Sequence, residues 1–170
     1  MKRQFAGNSR GQSLVEFALI LPIVVALLMG VFDIGRVVWA NDVLSNAARE
    51  AARYAIVHGG ARSNPCPVGP PDLPDTVVPA ASASCPYPSP SKQAIVDVAS
   101  KFAIAGGRDV TVQVCYGPDC SGDTDVPGAT NRRGTPITVT ITSSVDMSAA
   151  GIVGWKTFTV SSSSTMLVNN

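Results

Sequence analysis

The stretch RGQSLVEFALILPIVVALLMGVFDIGRVVWANDVLSNAAREAARYA, residues 10–55, decides the fold of this chain. Residues 17–32 carry no charge, and Leu14 extends the apolar run backwards across Glu16. Counted from Leu14 to Phe32, the run forms a helix of about 28 Å, close to the thickness of a bilayer's hydrocarbon core. Pro22 lies inside the run, where membrane helices tolerate it better than soluble helices do. We therefore predict a transmembrane helix over residues 14–32.

Basic residues precede the apolar run, and acidic residues do not. Lys2, Arg3 and Arg10 lie on the N-terminal side, so the positive-inside rule keeps the N-terminus in the cytoplasm and places the rest of the chain outside. A cleaved secretory signal is an alternative, with a small-residue site at residues 38–40. That site lies far beyond the apolar core and has a Trp at its centre. A plain uncleaved signal anchor is a second alternative.

A single acid, Glu16, stands at the start of the apolar run, five residues after Gly11. A short basic leader, a Gly and an acid at this spacing are typical of a class III signal, which a prepilin peptidase reads. A cut after Gly11 frees the amine of Gln12, and Glu16 can compensate such an amine, most simply that of a neighbouring subunit. A charge in lipid is tolerable when it is paired. The alternative is that Glu16 only reaches the membrane interface.

The same stretch resembles the TadE-like domain of tight-adherence (Tad) pilus assembly proteins. The elements that carry the resemblance are Arg10-Gly11, residues 15–19 (VEFAL), Pro22, residues 33–36 (DIGR) and the alanine-rich residues 47–55 (AAREAARYA). They occur in the family's order and at its separations, and they cover a little over a quarter of the chain.

The resemblance implies a minor pilin or pseudopilin that takes part in assembly of a Tad (Flp) type IV pilus in a bacterial inner membrane. It implies as partners the prepilin peptidase, other Tad pilins and pseudopilins, the inner-membrane assembly platform and membrane lipid. It makes Gly11 and Gln12 the cleavage site and gives Glu16, Phe17 and Pro22 a role in assembly. The alternative function is a signal-anchored periplasmic binding or scaffold protein unrelated to pili.

The helix is expected to continue past Arg36, because no helix breaker occurs before Gly59-Gly60. One face is apolar and the opposite face is polar. The apolar face packs either inside a filament or on the protein's own sheet, and both remain open. Its members are Ala40, Leu44, Ala47, Ala51 and Ala55, opposite Asp42, Asn46, Arg49 and Arg53.

Nine of the thirteen prolines fall within residues 65–90, which predicts a loop rather than a helix or central strand. Four cysteines, Cys66, Cys85, Cys115 and Cys120, follow the apolar run and contain no CxxC motif. In an oxidising compartment they favour disulfides over a zinc site. We expect the pairs Cys66–Cys85 and Cys115–Cys120, since each closes the shortest available loop.

The last part of the chain has the pattern of an α+β domain. A short helix is expected after residues 89–90, with an apolar face, and Gly106-Gly107 should end it. Alternating apolar residues predict strands over residues 110–116 and 136–143, and residues 157–168 offer a third, more serine-rich strand. The chain then divides into a leader (1–11), a long helix (12–58), a proline-rich loop (59–90) and an extracytoplasmic domain (91–170), a pilin-like arrangement. The predicted helix face comprises Ala94, Ile95, Val98, Ala99, Phe102 and Ala105.

Nothing in the sequence predicts an enzyme. A formal net charge of +1 gives no basic field for nucleic acid. Asp119, Asp123 and Asp125 match a calcium loop poorly, and the single His58 has no Ser or Cys partner at an interpretable spacing. We expect no cofactor, no metal, no catalytic residue and no small-molecule substrate.

Overall fold

A computed structural model describes residues 9–59, 66–70, 87, 91–120, 122–148, 154 and 157–169. Its order of elements is a long helix α1 (Ser9–Val57), a short helix α2 (Gln93–Ala103) and three strands, β1 (Arg108–Tyr116), β2 (Pro136–Asp146) and β3 (Thr157–Leu167). The predicted α+β class, with a long N-terminal helix and a small antiparallel sheet, is confirmed.

Helix α1 runs without interruption for 49 residues and includes Pro22. The predicted continuation of the helix past Arg36 is confirmed. The helix ends at Val57, and the His58 N–H donates to the Tyr54 carbonyl (3.1 Å) to close the last turn. Gly59, the glycine at which the sequence predicts the end of the helix, comes directly after His58.

The three strands form one antiparallel sheet in the order β1-β2-β3. β2 is the central strand: Val139 lies opposite Val114 of β1 and Ser164 of β3. Every second residue of β2, from Ile137 to Val145, is buried. This period of two is the one that the sequence shows, because successive side chains of a strand point to opposite faces. The strands extend or shorten the predicted ranges by three residues or fewer.

The core lies between the sheet and the two helices. The five predicted apolar positions of α1 are all buried, as are Ala48 and Ala52 between them. They pack against the protein's own sheet and α2. From Ala40 to Ala55, the apolar face of α1 is therefore part of the core of its own domain. The predicted polar residues opposite, Asp42, Asn46, Arg49 and Arg53, are exposed.

The predicted apolar face of α2 is confirmed at Ile95 and Ala99, but Phe102 and Ala105 are exposed. Its fully buried residues are Ile95, Ala99 and Ala103, whereas Phe102 is 55% exposed. The helix begins at Gln93, whose N–H donates to the Ser91 hydroxyl (3.0 Å); the predicted cap at residues 89–90 lies outside the described residues. Near the end of α2 the small Ala103 faces the core, and in the turn that follows a Cβ on Gly106 would lie 3.0 Å from the Leu44 side chain of α1.

Candidate functional site

The proposed cleavage site lies at the beginning of α1. A Cβ built on Gly11 meets nothing within 4 Å, so the rest of the described fold places no steric demand on this position. Gln12 and Glu16 are one helical turn apart, and the Gln12 side-chain amide donates to the Glu16 carboxylate (Nε2–Oε1 3.3 Å). Because side chains of a helix lean towards its N-terminus, the Glu16 carboxylate points back to the backbone that a cut after Gly11 would free.

The apolar side chains of residues 14–32 take no part in the core of the described fold. Leu14, Phe17, Pro22 and Phe32 are all exposed, as are almost all residues between them. α1 is the one described helix that is long and apolar enough to cross a membrane, and its apolar window is not buried at all. A continuous apolar surface of this size requires lipid or protein around it.

Asp33 interrupts this exposed surface and is only 4% exposed. Its carboxylate accepts a hydrogen bond from the Ser148 backbone N–H, just beyond the end of β2 (Oδ1–N 3.0 Å). The bond ties the first residue after the predicted span to the sheet domain, 115 positions further along the chain. The sequence marked residues 33–36 as part of the family resemblance but gave no partner for Asp33.

We expect Asp33→Ala to lower the free energy of unfolding of the outer domain by about 1–3 kcal/mol, because the Ser148 N–H loses its acceptor. Asp33→Asn retains an acceptor oxygen and should cost less. Chemical unfolding of the full chain in detergent measures both. Asp42→Ala removes an exposed acid of the same helix and is the matched control. Equal stability of the Asp33→Ala and Asp42→Ala variants would contradict this role for Asp33.

The acids after β1 are engaged in holding their own loop. Asp123 and Asp125 accept hydrogen bonds from the backbone N–H groups of Val114 (3.0 Å) and Tyr116 (2.8 Å). Lys92 forms ion pairs with both carboxylates, at 3.6 Å and 2.9 Å. The loop thus lies along the outer edge of β1 and covers backbone groups that another strand would otherwise pair with.

A disulfide joins Cys115 to Cys120 at the start of this loop, with the two Cα atoms 5.7 Å apart. This is the pairing that the sequence predicts for these two residues. Cys66 is also disulfide-bonded. Cys85 lies outside the described residues, so the Cys66–Cys85 pair stays a prediction.

Removing the local disulfide with the double variant Cys115→Ser/Cys120→Ser should lower the free energy of unfolding by about 2 kcal/mol in the loop-entropy model. Thermal unfolding in detergent without reductant measures the difference from the unmodified chain. With reductant in both samples, the two proteins should unfold at the same temperature. A difference that persists under reduction would show that the substitutions act through packing and not through the bond.

His58, like the acids after β1, makes contacts within the fold. Within the described ranges, no group of three or more His, Cys, Asp and Glu side chains could hold a metal ion. His58 stacks on the Tyr54 ring (centroids 4.0 Å apart), and its Nδ1 lies 2.9 Å from the Tyr54 carbonyl oxygen. Burial, and secondarily the charge of Asp125, raises the pKa of the Tyr116 hydroxyl, which therefore stays protonated in the core.

Comparison with known proteins finds a family match in the N-terminal part of the chain. Residues 11–53 match the model of the family described as TadE-like protein, which is roughly a quarter of the chain. The match contains Gly11, Glu16, the exposed apolar segment, Asp33 and most of the buried face of α1. No curated protein and no solved structure matches the chain.

Proposed function

With residues 11–53 as a TadE-like segment of the Tad pilus system, we propose that the chain is a minor pilin or pseudopilin. In this role it takes part in assembling a Tad (Flp) type IV pilus and has no catalytic activity of its own. The observation that carries the proposal is the continuity of α1. One helix joins the Gly11–Glu16 element, an exposed apolar segment and a face packed on the outer domain.

This continuity fits a subunit that exchanges one apolar environment for another. In the inner membrane, lipid surrounds the exposed segment of residues 14–32; in a filament, the same segments of neighbouring subunits surround it. The outer domain needs no rearrangement for this exchange, because its core is made by the later part of α1. The exposed Phe17 and Pro22 lie in the part that changes surroundings.

Cleavage after Gly11 by a prepilin peptidase prepares the subunit for that exchange. It leaves Gln12 at the start of the helix with a free amine, and Glu16 then lies in the first turns. An acid near a helix N-terminus is favoured by the helix dipole, and a carboxylate paired with an amine is less costly in an apolar environment than an unpaired one.

The proposed topology follows from the basic leader and the cysteines. Lys2, Arg3 and Arg10 keep the N-terminus in the cytoplasm. The sheet domain and its disulfide then lie on the oxidising side of the membrane, in the periplasm or at the cell surface. The proposed partners are the peptidase, other Tad pilins and pseudopilins, the assembly platform and membrane lipid.

The test is mass spectrometry of the N-terminus of the membrane-purified protein, from cells with and without the prepilin peptidase. We expect Gln12 as the first residue when the peptidase is present and the intact leader when it is absent. A leader that remains in both strains would favour a signal-anchored periplasmic scaffold protein and would contradict the pilin proposal. A cut after Ala40 would instead indicate a secretory signal.

A further inference from the structure

Two contacts fix how the sheet lies along α1. Asp33 binds the Ser148 N–H beyond the end of β2, and the Ser45 hydroxyl lies 2.9 Å from the Ser162 hydroxyl of β3. From Asp33 to Ser45 the helix rises by about 18 Å. From Thr157 to Ser162 the strand rises by about 17 Å. The strand therefore runs along the helix, and the end of the sheet where β2 stops and β3 begins is level with Asp33.

That end of the domain lies at the depth of the lipid headgroups when residues 14–32 span the hydrocarbon core. Asp33 follows the last residue of the span directly. The headgroup region extends about 5–8 Å beyond the hydrocarbon on each side, which includes Arg36, about 6 Å past Phe32 along α1. The Cα of Trp39 lies about 10 Å past Phe32, and its side chain reaches back towards this layer because helical side chains lean towards the N-terminus. With the sheet end at Asp33, there is no room for a layer of water between the domain and the bilayer.

The side chains at this end suit a lipid interface. We define the membrane-proximal rim as Arg36, Trp39, Arg108 and Phe158, all exposed. Trp39 is 62% and Phe158 48% exposed, although both are large and apolar. Trp and cationic side chains are enriched at membrane interfaces, where aromatic rings lie among the headgroups and guanidinium groups meet phosphates.

The rim residues come from three separate elements: Arg36 and Trp39 from α1, Arg108 from β1 and Phe158 from β3. Trp39 and Arg36 line an open cleft of about 310 Å³ together with Val145 and the glycine turn after α2. Phe158 lies on β3, opposite Val145 of β2. Arg108, at the start of β1, forms an exposed ion pair with Asp146 (3.3 Å), the last residue of β2.

We propose that, before assembly, the outer domain rests on the membrane through this rim, with Trp39 and Phe158 in the lipid headgroup layer and Arg36 and Arg108 at lipid phosphates. The inference rests on the proposed insertion of α1 in a bilayer and adds a second contact with lipid, made by the folded domain. Joining a filament would then require the rim to leave the lipid surface.

The test uses tryptophan fluorescence of the full chain, one copy in each nanodisc of phosphatidylethanolamine and phosphatidylglycerol. The background Trp39→Phe/Trp155→Phe contains no Trp, since the chain has two. Each protein that is measured carries a single Trp. In the Trp155→Phe chain this is the native Trp39. In the Trp-free chain it is introduced by Phe158→Trp, Leu27→Trp or Leu167→Trp. Leu167 is the control position away from the rim. It is 61% exposed and lies at the opposite end of β3, about 30 Å from Phe158.

Lipids brominated near the glycerol end of their acyl chains should quench most of the emission of Trp39 and of the Phe158→Trp reporter, and none from the Leu167→Trp reporter. Leu27→Trp lies within the span and reports insertion itself. Quenching of Leu27→Trp without quenching of Phe158→Trp would overturn the rim proposal and leave the pilin proposal intact. An unquenched Leu27→Trp reporter would overturn both, because α1 would not span the bilayer.

Discussion

Gly11→Val should leave the leader on the chain and abolish maturation almost completely. A peptidase at the membrane face has to close on the backbone on both sides of the bond that it cuts. A branched side chain at position 11 would keep the enzyme away from the backbone at that bond. The fold itself does not need Gly11, because a Cβ at this position meets nothing within 4 Å. The mass of the N-terminal peptide measures the effect directly.

Gly30→Val is the matched control. Gly30 is also in α1, and a Cβ there also meets nothing within 4 Å, so the variant adds the same β-branched residue to the same helix. It should be cut as efficiently as the unmodified chain. Normal maturation of Gly11→Val would mean that the class III signal has been misread, and the pilin proposal would lose its first step.

The sequence predicted the elements whose pattern repeats along the chain. β2 alternates from Ile137 to Val145, so its buried face follows from its own residues. The face of α1 follows in the same way from its three- and four-residue steps. For both elements, a single periodicity determines which side chains turn inward, and the rest of the protein only has to cover that face.

The buried face of α2 depended on a neighbour and was therefore predicted less well. Phe102 and Ala103 are adjacent, and either can be assigned to an apolar face. In the structure it is Ala103 that is fully buried, and in the turn after α2 a Cβ on Gly106 would lie only 3.0 Å from the Leu44 side chain. Where the turn approaches α1 this closely, the small Ala103 faces the core and Phe102 is 55% exposed.

The contact between Asp33 and Ser148 could not be predicted from the sequence at all. An acid directly after an apolar run has the appearance of a solvent-exposed end of a membrane segment, and its partner is a backbone N–H, which any residue but proline supplies. The same is true of Asp123 and Asp125, which bind backbone groups of β1. Long-range contacts with backbone groups leave no residue-specific signal in the sequence.

Glu16→Ala should mature normally and remain in the membrane, yet reduce the yield of surface pili severely. In the described fold, the Glu16 side chain is exposed and contacts the Gln12 amide at 3.3 Å, so neither folding nor insertion of the subunit depends on it. Its removal should even favour insertion, since a carboxylate is costly at the edge of the hydrocarbon. The yield of pili falls because, when subunits pack in the filament, each free N-terminal amine needs a carboxylate partner.

Glu16→Gln separates charge from shape. The amide has the size of the carboxylate and can still hydrogen-bond, but it cannot neutralise an amine, so we expect pilus yield to fall as it does for Glu16→Ala. Asp42→Ala removes another exposed acid of α1, beyond the span, and should leave piliation unchanged. The measurements are the N-terminal mass, the membrane fraction and the pili sheared from the cell surface. If Glu16→Gln supports normal piliation, shape and hydrogen bonding are sufficient at this position; if Glu16→Ala does as well, Glu16 has no part in assembly.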